Sequence, residues 1–98
     1  MAITTTQFVM TKAYAEVAAA VGAVTGLQVE PFDGPGTLRV EFVASAAEPA
    51  ATVLGRRLTD GETMQADQVV TDLGAAGKVW ARQVSGASTA TVLVAVTA

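Results

Sequence analysis

The segment Thr37-Leu38-Arg39-Val40-Glu41-Phe42-Val43 alternates apolar and charged side chains with a period of two. Successive side chains of an extended strand point to opposite faces, so Leu38, Val40 and Phe42 share one face and Arg39 and Glu41 the other. A helix of 3.6 residues per turn would scatter those apolar residues around its circumference. The same grammar, β-branched residues broken at short intervals by Gly or Pro, runs along most of the chain and predicts many short strands. The expected fold is all-β: a small single-domain β-sandwich or barrel-like fold over residues 1–98, with an extended N-terminal segment at residues 1–6.

Turn chemistry divides the chain further. Residues 27–32 set Leu27, Val29 and Pro31 against Gln28, Glu30 and Phe32, and Asp33-Gly34-Pro35-Gly36 follows as a strong turn signal. This predicts a β-hairpin over residues 27–43 with a four-residue loop. The Ala/Ser/Pro-rich segment 44–51 reads as a connection and 53–58 as a short strand. Thr59-Asp60-Gly61-Glu62 reads as a turn, because Asp-Gly supplies positive φ at little cost. Residues 63–70 read as a strand with polar interruptions, Gly74 and Gly77 as a turn, and Lys78-Val79-Trp80-Ala81-Arg82-Gln83-Val84 as a strand. After a turn at Ser85-Gly86-Ala87-Ser88, residues 89–97 form a last strand, with Val92, Val94 and Val96 on one face and Leu93 and Ala95 on the other. A strand apolar on both faces is expected to be buried on both, or to have one face covered, or its edge paired, by a neighbouring subunit. Residues 12–24 are Ala-rich. They are read as the end of a strand over 7–16 and then one short helical turn near residues 17–22, with a three-turn helix as the rival.

Composition bears on partners. Hydrophobic residues make up 51% of the chain, but most are Ala and Val, and charged residues are only 15%, well under the usual quarter. A charge-poor small domain is expected to carry apolar surface that a partner covers. The net charge is −3 and no basic cluster exists beyond Arg56-Arg57, which argues against nucleic acid and anionic membrane as partners. No apolar run reaches transmembrane length. The first residues lack the basic and apolar regions of a signal peptide, so synthesis in the cytoplasm is expected.

The chain contains neither His nor Cys, which removes Ser-His-Asp and Cys-His catalysis and the usual zinc ligands. Lys12 and Lys78 stand in no nucleophile motif, and no glycine cluster forms a phosphate loop. Asp60, Glu62, Asp67 and Asp72 read as solvated turn carboxylates, too few and too widely spaced for a calcium loop. No enzymatic activity, cofactor or metal is expected. Trp80 and Tyr14 could stack on a sugar ring, but a single Trp in a β-domain more often belongs to a core or an interface. Trp80 shares a face with Arg82, which suggests a mostly buried ring covered by the guanidinium. Arg56 and Arg57 read as a solvated pair or as an intersubunit salt bridge. The candidate interface residues are therefore Trp80, Arg82, Leu93, Val94, Arg56 and Arg57.

The order of these features resembles that of small tailed-bacteriophage virion structural proteins of the head decoration or head fibre type. The features are Tyr14-Ala15-Glu16-Val17-Ala18-Ala19-Ala20, the strands at 27–32 and 37–43, the Ala/Ser/Pro segment 44–51, Leu58-Thr59-Asp60-Gly61-Glu62, and Gly77-Lys78-Val79-Trp80-Ala81-Arg82 followed by Ser85-Gly86 and a Val-rich end. The most specific piece is residues 78–82 followed by Ser85-Gly86. Where that group often has Pro before the Gly-Glu pair, this chain has Asp60. The resemblance implies a non-enzymatic virion subunit, made in the host cytoplasm, homo-oligomeric and bound to the major capsid protein or neighbouring structural subunits. A tail, baseplate or connector component and a carbohydrate-binding module are the alternatives.

Overall fold

The computed structural model describes residues 2–31, 38–84 and 90–97. Among the described residues, eight strands form two four-stranded antiparallel sheets. In chain order they are β1 (Ile3–Met10), β2 (Ala15–Ala18), β3 (Val24–Val29), β4 (Arg39–Ser45), β5 (Arg56–Thr59), β6 (Thr63–Gln65), β7 (Lys78–Gln83) and β8 (Ala90–Thr97). A single 3₁₀ turn, Val21–Ala23, precedes β3, and one α-helix, α1 (Ala66–Leu73), follows β6. The first sheet runs β1-β8-β3-β6 and the second β2-β7-β4-β5. The all-β reading holds, and the architecture is a two-sheet sandwich.

Period-two alternation builds the core. Val40 and Phe42 from β4, Val79 and Ala81 from β7, Leu27 and Val29 from β3, and Val92 and Val94 from β8 turn inward and are at most 1% exposed. Leu58, Met64 and Val69 complete the same cluster. Small residues let the two sheets approach closely, and among the described residues the Phe42 ring is the largest fully buried side chain.

Two expected elements are corrected. Residues 27–43 do not form a hairpin: β3 pairs with β6 and β8, whereas β4 pairs with β5 and β7. A Gly/Pro turn reverses the chain whether it stays in one sheet or crosses to the other. Here the chain crosses between the sheets, and β4 matches β7 at the six positions Val40 to Ser45, while β3 matches β8 at five. The turn itself, at 33–36, lies outside the described residues, as does the one at 85–88. Residues 63–70 are not a strand either. The strand stops at Gln65, where Gln65 and Gln68 cap one another reciprocally, the Gln65 N–H donating to Gln68 Oε1 at 3.0 Å. Such a box three residues apart starts a helix, and Val69 and Leu73, four apart, give it one inward stripe. Gly74, at φ +114, ends it.

The strand expected over 7–16 is two strands in different sheets, β1 and β2, broken at Thr11–Tyr14. The helical turn falls at Val21–Ala23 and the three-turn helix does not form. The turn at Thr59-Asp60-Gly61-Glu62 is as expected: Gly61 takes φ +82, and Glu62 Oε1 accepts from both the N–H and the hydroxyl of Thr59 at 2.6 Å. The last strand is not an edge. It lies between β1 and β3 with both of its backbone edges paired, so a neighbour cannot add to it there.

Candidate functional site

Two surfaces of opposite character result. On the outer face of the β2-β7-β4-β5 sheet, Glu41 is 0% exposed although it points away from the core. The alternation placed it with Arg39 on the face opposite Leu38, Val40 and Phe42; Arg39 is exposed, but Glu41 is roofed by Tyr14 and by the connection 46–55. Arg82 Nη2 and Nε donate to Glu41 Oε1 at 2.7 and 2.9 Å. Arg57 Nε donates to Oε2 at 3.1 Å, and the Gly55 backbone N–H donates as well. The Tyr14 hydroxyl lies 2.9 Å from Oε1 and 2.7 Å from the Val53 carbonyl, and its one proton serves these two acceptors. Arg82 also reaches the carbonyls of Ala51 and Val53 at 2.7 and 3.0 Å, which ties the connection down.

The electrostatics follow from this wiring. Burial alone would raise the Glu41 carboxyl, but the Gly55 N–H, Arg82, Tyr14 and Arg57 outweigh it and hold the group at about 2 instead of 4.5. Tyr14 moves the other way. Burial, its hydrogen bond to Glu41 and the Glu41 charge push it up to about 12, against the opposing fields of Arg82 and Arg57. Tyr14 is the single tyrosine of the chain, so its ultraviolet titration is unambiguous. Native protein is expected to ionise near pH 12 and unfolded protein near 10. Because the folded value is raised, the associated stability is complete below pH 10 and is lost as the pH rises toward 12. A native phenol titrating at 10 would contradict this wiring.

The predicted interface residues separate accordingly. Arg82 lies over the Tyr14 ring, 4.2 Å from its centroid, and not over Trp80; the cation–π partner expected from sequence is thus corrected. The Trp80 indole is part-buried on the same sheet face and donates to the Ser45 carbonyl at 3.0 Å. Arg56 pairs with Asp72 at 3.2 Å, so both guanidinium groups of the Arg56-Arg57 pair are engaged within the chain. Val94 turns inward and is 1% exposed, which places it in this domain's own core and leaves Leu93 as the outward one of the two.

Leu93 belongs to the second surface, the outer face of the β1-β8-β3-β6 sheet. Strand register puts Ile3, Thr5, Gln7 and Val9 beside Thr97, Ala95, Leu93 and Thr91. Gly26 and Gln28 then sit beside Ala95 and Leu93, and Gln65 and Thr63 beyond them. None of these residues is charged. Gly26 has no side chain, and a shallow groove of about 350 Å³ opens above it between Thr5, Leu93, Ala95, Thr63 and Gln65. Among the described residues no three carboxylates gather as a metal site, and no helix is long and apolar enough to cross a membrane. The neutrality of this face was open to sequence reasoning, because each strand's polar positions are Thr and Gln, but it needed the strand order to be seen.

The chain matches no family model, no curated protein and no solved structure.

Proposed function

We propose that the protein is a non-enzymatic structural subunit of a tailed-phage virion, a capsid decoration or head-fibre-type protein that binds the particle through apolar contacts. The observation that carries this reading is the outer face of the β1-β8-β3-β6 sheet, where the paired positions of four strands present only Ile, Val, Leu, Ala, Gly, Thr and Gln, with the Glu30 carboxylate at the margin beside Thr91. Such a face favours desolvation against a complementary surface over capture of a charged ligand. The charge-rich side of the molecule supports the same reading, since Glu41, Arg82 and Arg57 are spent on one another in holding a connection closed. Tyr14 offers no free ring for stacking on a sugar: it is 7% exposed, with its hydroxyl bonded and Arg82 against its face.

The test follows the protein through particles purified from the culture that makes it. It is expected to co-sediment with them and to remain bound at about 1 M salt, where the screening length is only about 3 Å. A Leu93→Asp variant, which places a charge at the centre of the neutral face, is expected to be left off. Recovery of the protein free of particles would overturn the proposal. So would release at moderate salt with the variant still bound.

A further inference from the structure

We infer that two copies of this chain pair through the edge of β1 that no described strand occupies, antiparallel and about a two-fold axis at Thr6, to join their sheets into one of eight strands. Among the described residues the sandwich has four edge strands, and three of them are blunted. β6 has three residues. β2 has four and a register shift between Glu16 and Ala18. β5 has four and begins with Arg56-Arg57. Short length, irregular register and charge are the devices by which sheet edges avoid pairing. β1 has none of them: it runs eight residues in unbroken register with β8, without charge or proline.

The register is set by backbone parity. In an antiparallel ladder every second residue turns its N–H and C=O toward a given neighbour. β8 takes one such set along β1 and leaves the other facing outward. Two copies of one edge must bring like sets opposite each other, so the symmetry axis passes through a residue and not between two. An axis at Thr5 would set Ile3 opposite Gln7, and one at Gln7 would set Thr5 opposite Val9. Only an axis at Thr6 sets Ile3 opposite Val9 on the outer face. These are the two large apolar side chains of β1 that lie bare, at 61% and 62% exposure, and cross-strand apolar pairs are what stabilise sheet registers. On the inner face the same register lays Thr4 of each copy beside the part-buried Phe8 of the other. The contact is isologous and closes at two copies. It is independent of the particle proposed above, because it is read on the purified chain alone.

Thr6 is exposed, so it can be replaced without disturbing the core. Sedimentation equilibrium is expected to show a dimer for the native chain. Thr6→Lys and Thr6→Glu each set like charges opposite one another on the axis and should weaken association about tenfold or more. An equimolar mixture of the two variants should regain it. A native chain that stays monomeric, a Lys variant that dimerises as the native does, or single variants whose mixture is not rescued would each overturn the inference. A Thr6→Cys chain covers the case in which a charged variant does not fold. The sequence has no other cysteine, so mild oxidation should link two copies at that position, whereas Thr63→Cys, on the far strand of the same sheet, should not link. The reverse pattern would sink the proposed axis.

Discussion

Replacing Glu41 with Ala is expected to cost about 3–5 kcal/mol of folding stability, the usual penalty for removing one partner of a buried charge set. Arg82, Arg57, the Tyr14 hydroxyl and the Gly55 N–H all converge on this one carboxylate. Without it Arg82, whose side chain is 12% exposed, keeps its charge and loses its counter-ion. The connection 46–55 then loses the group that orients its anchor. A domain of this size has only about 5–15 kcal/mol in hand, so the variant should unfold at a much lower denaturant concentration. The native protein should also show an acid slope with a definite sign. Glu41 is held at about 2 when folded against 4.5 ordinarily, so its contribution is complete above pH 4.5 and is lost as the pH falls toward 2. At about 1.4 kcal/mol per unit, that is about 3 kcal/mol. Urea unfolding followed by circular dichroism from pH 7 to 2 measures it, with Glu41→Gln alongside. The Gln chain should lose this part of the slope, and an unchanged slope would refute the assignment.

Phe42→Ala should be comparably severe, at about 3–5 kcal/mol. Phe42 is 0% exposed at the middle of β4, paired with Ala81 on one side and Arg56 on the other. Its surroundings are mainly Val, Ala and Leu on paired strands, held by their ladders and too short to collapse into the space a phenyl ring leaves. The cost therefore includes a cavity as well as lost burial. Phe42→Leu should cost distinctly less, since it leaves a smaller void. Equal losses for Ala and Leu would mean that the cavity is not the cause. The single tryptophan, Trp80, lies on the neighbouring strand β7, so its fluorescence reports the unfolding of this sheet in both variants.

These residues also mark how far the sequence could be read. Phe42 was legible as core, because Leu38-Arg39-Val40-Glu41-Phe42 has a period that only a strand satisfies. Glu41 was legible as facing away from that core, but not as buried. What buries it comes from Tyr14, Arg82 and the connection 46–55, Ala-Ala-Glu-Pro-Ala-Ala-Thr-Val-Leu-Gly, which has no pattern of its own. The helix α1 was missed because Val69-Val70 looks like strand sequence, while the Gln65–Gln68 cap that outweighs it is a single pair of side chains.

What the sequence determined by itself is therefore local. Steric preferences within a few residues decide which segments extend, which side of each faces inward, and that Gly61, Gly74 and Gly77 take the positive φ their turns require. Pairing is decided at another range. β1 meets β8 across nearly the whole chain, β4 meets β7 about forty residues on, and the strands on either side of 33–36 part into different sheets. Closing such loops costs entropy that only the completed sandwich returns. A strand's alternation says that it has an inner face but not which strand lies beside it. Only the tertiary structure could put β8 beside β1 and β3, leave β1 at the edge, bury Glu41 under a patternless connection, and gather the Thr, Gln and small apolar residues of four separate segments into one face whose paired strand positions carry no charge.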